Sequence, residues 1–99
     1  MAKYIVLGKL TQQGRQDAVN TPKFRAQGRE RAKAVGVTFE SYVTLGKYDV
    51  VWVVDAPNDE ALAKWLFGVG SIGRVVTQTL RAFTEAEVDA LIADLPAQA

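Results

Sequence analysis

The chain has 99 residues, 48% apolar and 23% charged, with 12 Lys/Arg, 11 Asp/Glu, no Cys and no His. That length holds one domain, residues 1–99, around a single core. The missing cysteine excludes disulfides, a thiol nucleophile and thiolate metal sites, and the missing histidine removes the commonest acid/base near neutral pH and the usual haem and zinc ligand. Any catalysis rests on carboxylates, Lys, Arg, Tyr, hydroxyls or a bound cofactor. Charge is nearly balanced overall but unevenly placed: residues 1–47 carry nine Lys/Arg against three Asp/Glu, and residues 48–99 carry three against eight. Such asymmetry serves self-association as readily as an outside partner. No segment reads as a secretory signal or a membrane span, so the expectation is a cytoplasmic protein with no membrane contact.

Residues 3–10 read as a strand: Tyr4-Ile5-Val6-Leu7 is rich in β-formers, and the run breaks at Thr11-Gln12-Gln13-Gly14. Residues 11–20 read as a polar loop. Thr21-Pro22 predicts a helix start, with Thr21 as N-cap and Pro22 at the first helical position, where its missing N–H costs nothing. Phe24, Gly28, Ala32 and Val35 recur at helical spacing, and Gly36 suits a left-handed stop. This stripe is thin and small at its centre, which predicts close approach to whatever lies beneath it.

Residues 38–45 and 48–55 predict a hairpin turned at Gly46-Lys47, with Phe39, Ser41, Val43 and Leu45 sharing one face of its first strand. The return strand, Val50-Val51-Trp52-Val53-Val54, does not alternate, the pattern of a central strand covered on both faces. Asn58 reads as the cap of a second helix, with Asp59 and Glu60 against its positive end and Leu62, Trp65, Leu66 and Val69 on one face. Gly68-Val69-Gly70-Ser71-Ile72-Gly73 spells G-x-G-x-x-G, but a helix precedes it and a strand follows, the reverse of a dinucleotide site. These glycines are expected to end the helix and turn the chain toward Arg74. Residues 74–83 read as the last strand. Thr84-Glu85-Ala86-Glu87 is a capping box opening an amphipathic helix with Val88, Leu91, Ile92 and Leu95, which Pro96 ends.

The order β-α-β-β-α-β-α defines an α+β chain, ferredoxin-like βαββαβ with a C-terminal helix and an antiparallel sheet. Right-handed crossovers are expected to set the first and third strands parallel in the centre and the other two at the edges. Two crossover helices cover one sheet face only. The other face, with the valines of the third strand, is then expected to pair with a second copy of the chain, unless the C-terminal helix folds over it.

At Gly46-Lys47-Tyr48-Asp49 the chain resembles the GYD-domain family, whose name comes from a G-x-Y-D motif. Tyr4-Ile5-Val6-Leu7 with Leu10-Thr11, Thr21-Pro22 after Gly14, and Leu80-Arg81-Ala82-Phe83-Thr84 fall in matching order, so the likeness runs over roughly residues 3–95. The resemblance implies a dimeric α/β barrel, a superfamily that houses cofactor-free monooxygenases, isomerases, haem enzymes and ligand-binding regulators. It implies no particular reaction.

Tyr48, Asp49 and Arg81 are the candidate catalytic residues. The assumed topology puts Asp49 and Arg81 at the same end of the sheet, near Lys3, where Asp49 acts as a base or anion holder and Arg81 binds a carboxylate or phosphate. The structural alternative has Asp49 bonding the hairpin turn and Arg81 in an ion pair. Trp52, Trp65, Tyr42, Thr77 and Thr79 are candidate ligand-binding residues, with the two tryptophans equally readable as core. Lys23, Arg25, Arg29, Arg31 and Lys33 make the first long helix basic, either a docking strip for a polyanion or a solvated face. The sheet lacks the exposed aromatic-basic signature of an RNA-recognition motif, which argues against nucleic acid. No carboxylate cluster has metal spacing, and no cofactor is expected. Three functions remain: a small-molecule-binding protein or cofactor-free enzyme taking a small anionic or aromatic ligand; a noncatalytic self-assembling structural or regulatory module; and a polyanion-binding protein.

Overall fold

The computed structural model describes residues 1–97. Its elements are β1 (Ala2–Leu10), α1 (Gln12–Gln16), a 3-10 turn (Ala18–Asn20), α2 (Thr21–Ala34), β2 (Thr38–Val43), β3 (Val50–Ala56), α3 (Asp59–Ile72), β4 (Val75–Ala82) and α4 (Glu85–Ala93). The four strands form one sheet in the order β2-β3-β1-β4. β1 and β3 are central, as expected, but they run antiparallel, and so does every other neighbouring pair. The expectation of a parallel central pair fails for a topological reason. The α2 crossover makes β2 parallel to β1, and the hairpin then reverses β3, which is the strand that lies beside β1.

Local chemistry accounts for the element ends, with four departures from expectation. Residues 11–20 are not a plain loop. Thr11 caps a short helix, its Oγ1 accepting from the Gly14 N–H (3.1 Å) while donating to the Gly73 carbonyl (2.7 Å). The turn that follows moves the α2 cap back by one, to Asn20, and Thr21 is already helical. The hairpin loop is wider than Gly46-Lys47. Thr44 N–H donates to the Asp49 carbonyl (2.9 Å) and Thr44 Oγ1 to the Tyr48 carbonyl (2.7 Å), leaving residues 45–48 as the loop, with Gly46 at φ +111°. α3 runs straight through Gly68 and Gly70, and only Gly73, at φ +79°, ends it. Asn58 caps α3 through the Ala61 N–H (2.9 Å), and the Thr84/Glu87 capping box opens α4, both as predicted.

Alternation splits the sheet into two unlike faces. Tyr4, Val6, Val54 and Ala56 point toward α2 and α3, where they meet Ala32, Val37, Leu62 and Trp65 in the buried core. The opposite face carries no helix. Register places three rows across it: Leu80–Ile5–Val53–Glu40, Gln78–Leu7–Val51–Tyr42, and Ala82–Lys3–Asp55–Thr38. Lys3 and Asp55 form an ion pair at 3.3 Å within the last row. Two of the β3 valines, Val51 and Val53, lie on this open face. α4 does not fold back to cover it. That helix makes no substantial packing contact with the other elements, and Leu91, Ile92 and Leu95 are each more than half exposed. The molecule is accordingly elongated, 58 × 31 × 18 Å, with a radius of gyration of 15.9 Å, against about 13 Å for a compact 100-residue domain.

Candidate functional site

The helix-covered side of the sheet is not filled throughout. Beside the core, α2 stands off from β2 and β3 and leaves a cleft of ≈ 100 Å³. Its floor is a cluster of three aromatic rings, Phe39, Trp52 and Trp65, with centroids 4.8–5.9 Å apart and tilted planes, the spacing at which aromatic pairs attract. Strand parity explains the cluster: Phe39 lies opposite Val54, and Ser41 opposite Trp52, all on the helix side. Trp65 is fixed by its Nε1–H, which donates to the Gly28 carbonyl of α2 (3.1 Å).

Gly28 is the residue that opens the cleft. It sits mid-helix between Phe24 and Arg31, all three lining the gap. A Cβ built there meets nothing within 4 Å. Close approach, expected along this stripe, holds at Ala32, which is buried in the core, and fails at Gly28, where the missing side chain leaves room instead. A glycine inside a helix costs about 1 kcal/mol relative to alanine, and here no tight packing offsets that cost.

Arg25, Arg31 and Arg74 are the charged residues lining the cleft, and no carboxylate does. Arg74 is buried, stacked over Phe24 (4.2 Å to the ring centroid), and its Nη2 donates to the Asp17 carbonyl (2.9 Å). Its Nε lies 3.7 Å from the Asp17 carboxylate and has no hydrogen-bond partner. Neighbouring Arg29 lies over Phe39 at 5.0 Å, a cation–π contact. Among the described residues the ion pairs are Lys3–Asp55 and Arg74–Asp17, so the α2 cations have no carboxylate in contact.

The residues singled out from sequence fall in five places. Trp52 and Trp65 meet in the cleft. Tyr48 and Tyr42 lie on the open sheet side, where Tyr48 donates to Gln78 Oε1 (2.7 Å) and Tyr42 to Glu40 (2.8 Å), a bond that raises the Tyr42 pKa. Thr77 and Thr79 point to the helix side of edge strand β4, opposite Gly8 and Val6, and are not cleft residues. Asp49 accepts from the Leu10 N–H (2.8 Å), and its own N–H donates to the Gly8 carbonyl (2.9 Å), which ties the start of β3 to the end of β1.

Arg81 is at the other end of the sheet, opposite Tyr4, with its guanidinium over the Tyr4 and Phe83 rings and bonded to the Lys3 carbonyl (3.1 Å). The predicted Asp49–Arg81 juxtaposition is thus corrected: antiparallel pairing of β1 with both neighbours sends the start of β3 and the end of β4 to opposite ends. At the Arg81 end, the Tyr4 hydroxyl donates to Asp59 Oδ1, and this bond, reinforced by burial, raises the Tyr4 pKa. Sequence reasoning missed Phe39, Gly28 and Arg74 as cleft residues. The signals were present as the parity of β2 and the small centre of the α2 stripe, but the second was read with the wrong sign.

A four-stranded antiparallel sheet with helices on one face and an extra C-terminal helix is the ferredoxin-like α+β class. Within that class the chain belongs to the GYD domain family, which it matches over residues 4–92. It is 34% identical over 90 residues to the glutamine synthetase and cystathionine beta-lyase binding protein of Thermus thermophilus, an alignment that spans 89% of this chain and 95% of the relative. Among solved structures it is similar to TTHA0845, also from Thermus thermophilus (TM-score 0.56, 24% identity, 85% of this chain and 95% of that one). It is similar also to the hypothetical protein PHS023 from Pyrococcus horikoshii (TM-score 0.54, 22% identity, 86% and 93%). At these identities the structural likeness speaks for the fold alone.

Proposed function

We propose that this chain is a noncatalytic protein-binding module that works as a self-associated pair. The observation that carries the reading is the open sheet face. Ile5, Leu7, Val51 and Val53 lie side by side at its centre, flanked by exposed Val76 and Leu80 on β4. Completing the burial of four half-covered aliphatic side chains is worth about 0.75 kcal/mol each, half the usual low figure, or roughly 6 kcal/mol over two subunits. A second copy of the chain suits this face because it is four strands wide and presents the same apolar rows to its own image, as a two-fold interface requires. The partner-binding part of the reading draws support from the relative whose name gives glutamine synthetase and cystathionine beta-lyase as what it binds.

The test uses purified glutamine synthetase and cystathionine beta-lyase from the organism that makes this chain. Each is immobilised and titrated with the chain, whose mass in solution is measured by light scattering. The reading expects a pair in solution and saturable binding to at least one of the two enzymes. A monomer at all concentrations would overturn the first half, and absence of binding to both enzymes the second. The polyanion reading is weaker because Arg25 and Arg31 line the cleft and Arg29 lies over Phe39, which leaves Lys23 and Lys33 as the α2 cations outside these contacts.

A further inference from the structure

We propose that the cleft under α2 is a binding site for a small, flat, apolar carboxylate, its ring lying on the Phe39–Trp52–Trp65 floor and its carboxylate at the arginine wall. The site goes beyond the protein-binding role and lies on the other side of the sheet from the self-association face, so each stands or falls without the other.

Three independent observations converge on it. The floor is aromatic and apolar, which selects a planar hydrophobic body. Among the described residues the lining includes Arg25, Arg31 and Arg74 and no Asp or Glu, so the charge at its wall is positive, which favours an anionic ligand. Arg74 adds a built element: its side chain is nine-tenths buried, and its Nε, 3.7 Å from the Asp17 carboxylate in an ion pair, makes no hydrogen bond. Ordinary structures hydrogen-bond such groups. Planar guanidinium groups bind carboxylates through paired parallel hydrogen bonds, which a lysine wall does not offer. Size sets the last limit. A volume of ≈ 100 Å³ favours a ligand with a single ring.

Gly28 makes the inference sharp. A helix that needed only to pack would carry a larger residue at this position, because a Cβ there touches no other part of the protein. Its absence keeps the entrance clear above the tryptophans. A single substitution at residue 28 thus separates folding from binding: Gly28→Leu strengthens the helix and fills the cleft.

The chain contains two tryptophans, both cleft residues, so their two indole N–H resonances in a nitrogen-15 correlation spectrum report on the site alone. The experiment titrates phenylacetate and trans-cinnamate at millimolar concentrations into the intact chain, with 2-phenylethanol and cinnamyl alcohol as neutral counterparts. The expected result is a saturable shift of both indole signals by at least one of the acids. The matching alcohol binds at least tenfold more weakly, and Gly28→Leu abolishes the shift while melting at or above the parent temperature. Arg25→Gln is expected to weaken the acid at least threefold and leave the alcohol unchanged. No saturable shift with either acid overturns the site. Equal binding of acid and alcohol overturns the anion assignment, and undiminished binding to a folded Gly28→Leu variant overturns the location. The mass of the particle in solution, read on the same samples, is expected to stay constant throughout, which keeps failure here distinct from failure of self-association.

Discussion

Replacing Ile5 with glutamate tests the pairing of sheet faces at its centre. Ile5 lies in the one row whose three members from β4, β1 and β3, namely Leu80, Ile5 and Val53, are all apolar. In an isolated subunit the residue is only half-buried, and a glutamate there has Lys3 two positions away on the same face, so the fold of the subunit survives. In a two-fold pair the same residue is buried twice. Pairing completes the burial of a half-covered isoleucine, about 0.75–1.5 kcal/mol per copy, hence roughly 1.5–3 kcal/mol per pair, before the added cost of stripping water from two carboxylates. At about 1.4 kcal/mol per tenfold, the dissociation constant rises by roughly 10–10². Sedimentation equilibrium across a concentration series, with far-ultraviolet circular dichroism as a folding control, reads the change. A parent chain that sediments as a monomer, or an Ile5→Glu chain that is folded and associates as tightly as the parent, refutes the reasoning.

Two glycines are expected to answer alanine with opposite signs. Gly28→Ala raises stability by about 0.4–1 kcal/mol, since the Cβ meets open space and the unfolded chain loses freedom. Gly14→Ala lowers it by about 1–3 kcal/mol, because its Cβ would sit 2.2 Å from the Arg74 carbonyl oxygen, a backbone atom that cannot swing aside. Melting curves check both. Asp49→Ala is expected to cost about 1–3 kcal/mol by leaving the Leu10 N–H without its acceptor, and unchanged melting would restore Asp49 as a functional candidate. Tyr4, whose pKa is held above its ordinary 10.0 by the bond to Asp59, favours the folded state fully below pH 10 and loses that contribution as pH rises through its folded value. The alkaline limb of the stability profile is therefore expected to flatten in Tyr4→Phe, at a cost of about 0.5–1.5 kcal/mol at neutral pH. Glu87 behaves in the reverse sense: its hydrogen bonds to Thr84 lower its pKa, so the capping box holds α4 above pH 4.5 and releases it as pH falls below, which the helical signal of Thr84→Ala set beside the parent reads out.

Much of the fold was legible because its signals are local and redundant. Asn58 and the Thr84/Glu87 box marked helix starts by side-chain chemistry, and the unbroken apolar run at Val50–Val54 marked a central strand. Strand direction was misread because it follows from summing a crossover and a hairpin, a global property no single residue carries. Gly68 and Gly70 looked like a helix end, yet the packing of Trp65 and Leu62 carries α3 past them, tertiary burial outweighing local propensity. The candidate site was half legible. Trp52 and Trp65 were named and do meet, since their positions depend only on strand parity and helix face. Asp49 and Arg81 were paired in error because that pairing rested on the wrong strand direction. Gly28 illustrates the hardest case: a small residue on a buried stripe signifies either close contact or open space, and only the placement of its neighbours distinguishes the two.

A chain without cysteine accepts one spin label at a chosen point, and Gln27→Cys puts it on the exposed outer side of α2, away from both the cleft lining and the open sheet face. Pulsed dipolar spectroscopy then measures how two such helices sit in a pair. Sheets joined face to face with helices outward predict one narrow intermolecular distance beyond about 30 Å, from three spacings of roughly 10 Å between four stacked layers, and its loss on adding Ile5→Glu. No dipolar coupling at high concentration, or a short distance from helices packed against each other, would contradict the account.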